Sequence, residues 1–293
     1  MVTMSKWGRP IDVLPTFARE EQALIDVLAM LTAEQWAAPT ACTGWSVHDL
    51  VAHILDVKLR RLSRDRDDHR VEQPLPGESL GRFVDRINEQ WVLACRRLSF
   101  GALTSLIVDT MGQTTDFWSR EDLDELGEPV TWAGPDPAPR WLDAARDYTE
   151  FWVHQQQLRE AVGVVGLDWP EFRLPVVDTF MRALPYTLRN VEARTGRQIG
   201  YSVTDAGKWV ARREADGWTV DHGSPTSRSP LAMVSTDADT FWRLCTRSVK
   251  RADVAEKITT EGDENVCATM LDMVTIIVPE PEPHASRGNL RSV

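Results

Sequence analysis

The stretch Arg140–Gly163, RWLDAARDYTEFWVHQQQLREAVG, reads as one long helix that runs until a glycine stops it. Glu150 and His154 stand four residues apart inside it. A helix turns once every 3.6 residues, so both side chains fall on one face, one above the other. Neighbours at that spacing are close enough to share one small cation. A third donor is needed, and His53 supplies it from about a hundred residues upstream.

Working back from that helix, His53 lies in a segment with its own start signal. The run GWSVHDLVAHIL offers Ser46 as N-cap and Asp49 three residues later, a capping-box variant with an acid at the positive end of the helix dipole. Leu50, Ile54 and Val57 give it an apolar face, and His53 lies beside Leu50 and Val57. His48 sits in the first turn, off the His53 face. A helix is expected over Pro15–Leu31, with Pro15 in the tolerated first turn and Leu24, Val27, Leu28 and Leu31 on one side. Thr32 starts a short turn of helix with Gln35 as capping partner. The RDRDDHR run reads as a solvated helix end, and residues 71–79 as a Pro- and Gly-bearing loop. Ser79 opens a third helix through Phe83, Ile87, Trp91 and Cys95, and a further piece covers Thr104–Trp118. The link GEPVTWAGPDPAP then leads into Arg140. Four long amphipathic segments joined this way predict an antiparallel four-helix bundle, whose core can carry a metal on facing helices.

Downstream of Gly163 the texture changes. Residues 162–175 mark the expected boundary between two domains. A helix is expected over Pro175–Thr195, interrupted by Pro185. The runs IGYSV, KWVARRE and WTVDHG are strand-like and separated by the turn signals Asp205-Ala206-Gly207 and Asp216-Gly217. Leu231–Val234 is another candidate strand. Helices are expected over Asp237–Thr246 and Asp263–Ile276, the latter after a Glu261-Gly262-Asp263 turn. The fold class is therefore α+β: a helical bundle over residues 1–167, an antiparallel sheet covered by helices over 168–278, and a disordered tail over 279–293.

Composition narrows the partners. The chain has 293 residues, 42% of them hydrophobic and 26% charged, the profile of a soluble globular protein. A formal charge of −11 argues against nucleic acid, whose phosphates call for a basic footprint. No signal peptide is visible, and no apolar run approaches the roughly 20 residues that span a bilayer. The four cysteines, Cys42, Cys95, Cys245 and Cys267, form no CxxC pair, which excludes a disulfide framework and a four-cysteine zinc site and suits a cytoplasmic setting.

Two imidazoles and one carboxylate suit Zn²⁺ with a vacant fourth position, and the same set also suits Fe(II). Spacing alone leaves the ordinary alternative open, because Glu-x3-His on a helix is common and a histidine on an apolar face is usually a core residue. His69, His222 and His284 fall in a charge run, a turn and the tail.

The sequences TGWSVHDLVAHIL and FWVHQQQLREAVG, with the late stretch EGDENVCATMLDMV, resemble the mycothiol-dependent maleylpyruvate isomerase family over about residues 10–278. The resemblance implies a DinB-type four-helix bundle, a family C-terminal domain, and metal ligands at His53, Glu150 and His154. It also implies a mycothiol cosubstrate and a small electrophile as partner. The family usually continues its second histidine as H-x-x-D-x-R; Arg159 is kept here, but Gln157 stands in place of the acid.

A divalent cation deprotonates a bound thiol, so the resemblance implies a thiolate nucleophile that adds to an unsaturated substrate. Expulsion of the thiol after bond rotation gives an isomerase, and its retention gives an S-transferase. A dicarboxylate substrate would call for arginines, for which Arg189, Arg194, Arg212 and Arg213 are the candidates. Cys42, next to the GWS turn, is the one protein thiol placed to matter. A thiol-independent metal hydrolase and a non-catalytic metal- or ligand-binding protein are the competing readings.

Overall fold

The computed structural model describes residues 6–276; the expected tail over 279–293 lies outside them. Five long helices dominate the first half: α1 (Leu14–Leu28), α3 (Val47–Arg61), α4 (Leu80–Cys95), α5 (Phe100–Arg120) and α6 (Arg140–Val162), with one turn, α2 (Ala33–Trp36), between the first two. α1, α3, α5 and α6 form the bundle, and α4 lies along α3.

The start signals hold at atomic level. Thr32 and Gln35 cap α2 reciprocally, and Ser46 and Asp49 do the same for α3. Asp49 also receives a two-pronged hydrogen bond from Arg96 at the end of α4, at 2.9 and 3.0 Å. The cap of the histidine-bearing helix is thereby fastened to its neighbour. The expected Thr104–Trp118 helix is longer at both ends, because Ser99 caps it by accepting from Ala102 N.

α6 is interior, buried on almost every side. It carries polar groups inward, and most of them are met by partners from other elements. Gln156 exchanges two hydrogen bonds with the backbone of Leu167, at 2.8 and 3.0 Å. Gln155 Nε2 donates to the carbonyl and carboxyl of Glu20, and Arg159 donates to Gln155 Oε1 and to the carbonyls of Ala23 and Val165. Asp147 accepts from Arg61 at 2.6 and 2.7 Å and from Trp118 Nε1 at 3.0 Å. Arg61 continues to Asp143 and Asp65, so the RDRDDHR run is not wholly solvated: Asp65 is drawn into the bundle, and residues 62–66 form a π-helical turn rather than a frayed end. The helix ends at Gly163, which adopts φ 70°, ψ 27°, the left-handed conformation of a C-terminal stop.

The expected helix over Pro175–Thr195 is two pieces, α7 (Pro170–Met181) and α8 (Leu184–Thr187). α7 starts five residues earlier, with Pro170 in the first turn, where a missing N–H costs nothing. The chain breaks at Arg182–Ala183, just ahead of Pro185, as the loss of a donor at that residue requires.

The sheet has the order β3-β2-β1-β4-β5, from β1 (Gln198–Thr204), β2 (Gly207–Glu214), β3 (Gly217–His222), β4 (Ala232–Asp237) and β5 (Thr259–Gly262). It is mostly antiparallel, with β1 and β4 paired in parallel. That pair arises because the 223–231 connection crosses from the β3 edge to the far side of β1. Gln198 Oε1 fixes the crossing by accepting from Thr226 N at 2.8 Å and Ser227 N at 3.1 Å. β5 was not expected from the sequence: its four residues, TTEG, are all exposed and show no alternation. α9 (Ala238–Cys245) and α10 (Glu264–Leu271) pack on β4. α9 reaches back to α6 through an edge-on Trp152–Trp242 contact, 5.6 Å between ring centres.

Candidate metal centre

His53 enters from α3, and Glu150 and His154 from adjacent turns of α6. Nε2 of His53 lies 3.2 Å from Glu150 Oε1, and Nε2 of His154 lies 3.1 Å from the same oxygen. The two rings are perpendicular, with centres 4.8 Å apart. One donor atom from each residue lies within 4.8 Å of the other two, and no other such group of three occurs among the described residues. The sequence expectation that three distant residues meet is met in the fold.

The electrostatics divide the two histidines. Burial, together with the nearby charge of His154 and of Arg60, holds the His53 ring down at about 4, against the pull of Glu150. Burial also opposes a charge on His154, but the Glu150 carboxylate and the Cys42 side chain outweigh it and raise that ring to about 10. Glu150 sits well below the ordinary carboxylate range: burial works against its charge, and His154 and the hydrogen bonds from both rings overcome it. The carboxylate thus pairs with a charged His154 ring and accepts a further hydrogen bond from a neutral His53 ring. A divalent cation held by the three residues would replace the proton on each Nε2.

The donor set fits such a cation. Bonds of about 2.1 Å in a tetrahedral arrangement separate ligand atoms by about 3.4 Å, and both Nε2–Oε1 separations are already close to that value. Nδ1 of His154 lies 2.8 Å from Gln157 Oε1, which directs the Nε2 edge of the ring toward Glu150. Nδ1 of His53 is buried without a protein partner among the described residues. The approach lies on the Glu150 side: 37% of that side chain is open to solvent, against 5% and 13% for His53 and His154. The indole of Trp45 covers His53, with ring centres 5.1 Å apart, and is held by a 3.0 Å hydrogen bond to Glu89.

Two neighbours of the site, Trp45 and Arg60, were not among the sequence candidates, whereas Cys42 was. Trp45 sits in the GWS turn ahead of α3. Arg60, two helical turns beyond His53 and so on the same face, was detectable by its spacing; it donates to Asn88 and pairs with Asp56. Cys42 donates its thiol hydrogen to Gln157 Oε1 at 3.3 Å, a contact no local pattern announces. The four candidate arginines lie elsewhere. Arg212 and Arg213 are on β2, with Arg212 3.8 Å from Glu214, and Arg189 stacks over Tyr186. Arg194 is exposed in the connection before β1. None of them makes a hydrogen bond or ion pair with the trio. His48 points away, its Nε2 3.1 Å from the Leu98 carbonyl.

Residues 17–159 match the family model for the mycothiol maleylpyruvate isomerase N-terminal domain. Two solved structures share the fold, the mycothiol-dependent maleylpyruvate isomerase and a histidine-to-alanine variant of it. Each matches with TM-score 0.50 and 14% sequence identity, over 86% of this chain and 93% of theirs. No curated protein gives a significant sequence match.

Proposed function

Residues 17–159 belong to the mycothiol maleylpyruvate isomerase N-terminal domain family, and from that premise we propose that the chain is a metal- and thiol-dependent enzyme acting on a small electrophile. The observation that carries the reading is the convergence of His53 Nε2 and His154 Nε2 on one Glu150 oxygen, beside an opening to solvent. His53, Glu150 and His154 would hold Zn²⁺ or another divalent metal. When bound, such an ion supplies a position at which a thiol is held deprotonated at neutral pH.

The protein's own residues do the rest. Gln157, by accepting from Nδ1, keeps the Nε2 edge of the His154 ring turned toward Glu150. Burial keeps the His53 ring uncharged down to about pH 4, the form in which an imidazole can ligate a metal. Trp45 shields the His53 side from water. The reaction class is addition of a low-molecular-weight thiol, mycothiol by the family, to an electrophilic double bond. Its expulsion after rotation gives isomerisation of a maleylpyruvate-like substrate, and its retention gives S-transfer. The partners are that thiol and the electrophile, with no nucleic acid or membrane partner. Among the described residues no helix is long and apolar enough to cross a membrane.

The test is metal analysis of the purified protein, followed by thiol titration of the Co²⁺-loaded form. About one equivalent of metal per chain and a sulfur-to-cobalt charge-transfer band on adding thiol are expected. Loss of both in His154→Ala assigns them to this site, and a wild-type protein that takes up no divalent metal refutes the proposal.

A further inference from the structure

Gln157 occupies a place where a metal-binding histidine ordinarily finds a carboxylate, a backbone carbonyl or water. Its Oε1 lies 2.8 Å from His154 Nδ1 and accepts from Cys42 Sγ at 3.3 Å. Two donors on one oxygen fix the amide flip. The oxygen faces the ring, and the Nε2 group, which has no protein partner among the described residues, is turned away from it. The residue is buried, at 8% exposure, so its charge state is felt at the site with little screening.

We propose that Gln157 is a specificity-determining positioning residue, which holds His154 in its Nδ1–H tautomer without adding negative charge. It thereby makes the metal-loaded site select an anionic fourth ligand. The charge count carries the step. A divalent ion with the Glu150 carboxylate and two neutral imidazoles is formally +1. A carboxylate at position 157 would bring the total to zero, strengthening the hold on the metal and weakening the hold on an incoming anion. The neutral amide gives the reverse balance: a looser metal and a more electrophilic open position, suited to a thiolate or to the carboxylate of an anionic substrate. The inference rests on the metal site proposed above and deepens it by naming what sets the preference for an anion.

The experiment compares wild type with Gln157→Glu and Gln157→Leu. Zn²⁺ affinity is read by competition with a chromophoric chelator, and azide and 2-mercaptoethanol are titrated into the Co²⁺-loaded protein by absorption. Gln157→Glu is expected to bind Zn²⁺ about tenfold more tightly and azide about tenfold more weakly than wild type. Gln157→Leu, which removes the acceptor and adds no charge, is expected to lose about tenfold in Zn²⁺ affinity while its azide affinity stays within about twofold. A merely structural role would lower metal affinity in both variants and leave the azide constants together. Azide affinity unchanged in Gln157→Glu, or Zn²⁺ affinity undiminished in Gln157→Leu, overturns the proposal. If the glutamate variant does not fold, Gln157→Asp places the same added charge at the position and decides the azide comparison. A wild-type site that binds Zn²⁺ and azide but no 2-mercaptoethanol would remove the thiol reading while the azide comparison still tests this one.

Discussion

Replacing Glu20 with glutamine should make the protein relatively more stable as pH rises. Glu20 lies on α1, 1% exposed, facing α3 and α6. Its charged neighbours are Glu21 on its own helix, Lys58 on α3 and Arg159 on α6. Lys58 is already committed to Glu21, at 2.8 Å. Arg159 spends its donors on Gln155 and on two carbonyls. Glu20 is left with one short bond, 2.6 Å from Gln155 Nε2. Burial therefore dominates and raises its carboxyl from 4.5 to about 7, against the pull of Lys58 and the Gln155 bond. A carboxyl whose folded value is raised binds its proton more tightly in the native state. Its contribution is complete below about 4.5 and is lost as pH climbs through about 7. A difference of about 2.5 units corresponds to about 3 kcal/mol, of which about 2.5 kcal/mol falls between pH 5 and pH 8. Glutamine cannot titrate, and its Oε1 can still accept from Gln155. Urea unfolding of both proteins at about pH 5, 6, 7 and 8, at constant ionic strength, gives the stability difference at each pH. The variant should gain on wild type progressively, by about 2 to 3 kcal/mol at the top of the range. A difference that stays flat from pH 5 to pH 8 would mean that Glu20 is already ionised in the native state at pH 5, and the reasoning from its crowded neighbourhood fails.

Three further outcomes follow from other parts of the bundle. Arg61→Leu leaves Asp65, Asp143 and Asp147 facing one another without their shared cation, and should cost about 3–5 kcal/mol by thermal or urea unfolding; a loss below about 1 kcal/mol would show that the acids find other partners. Asp143, held down to about 2 by Arg146 and Arg61 against the effect of burial, contributes stability that is present above its usual value of 3.8 and disappears as pH falls toward about 2, so acid unfolding of wild type should extend into that window. Gly163→Ala meets no atom within 4 Å but retains φ 70°, so it should cost about 1 kcal/mol from backbone strain alone; an unchanged unfolding midpoint would show that the end of α6 adjusts freely.

The parts of this fold that were legible in sequence are those fixed by neighbours close along the chain. Ser46 with Asp49, Thr32 with Gln35, Ser79 before Leu80 and Gly163 after Val162 are local devices, and each sits where its chemistry places it. The strands bounded by Asp205–Gly207 and Asp216–Gly217 were legible for the same reason: a two-residue turn fixes the pairing of the strands beside it. What escaped depends on partners far along the chain. β5 is a strand only because β4 offers it an edge, and the parallel β1–β4 pair exists only because the 223–231 segment crosses over. α6 is the instructive case for the site. Gln155, Gln156, Gln157, Asp147 and Arg159 are all buried, so hydrophobic periodicity makes this helix look half-solvated when it is the centre of the bundle. Each polar group is answered by a residue more than ten positions away or by a neighbour one turn along. That burial gives the metal candidate its character. A helix surrounded by protein can hold Glu150 and His154 rigidly against His53, and one that surfaced on a single side could not set two imidazoles on one oxygen at 3.1 and 3.2 Å. The i, i+4 spacing named two of the candidate ligands. The rigidity that holds them in place comes from the buried polar groups whose partners the sequence does not announce.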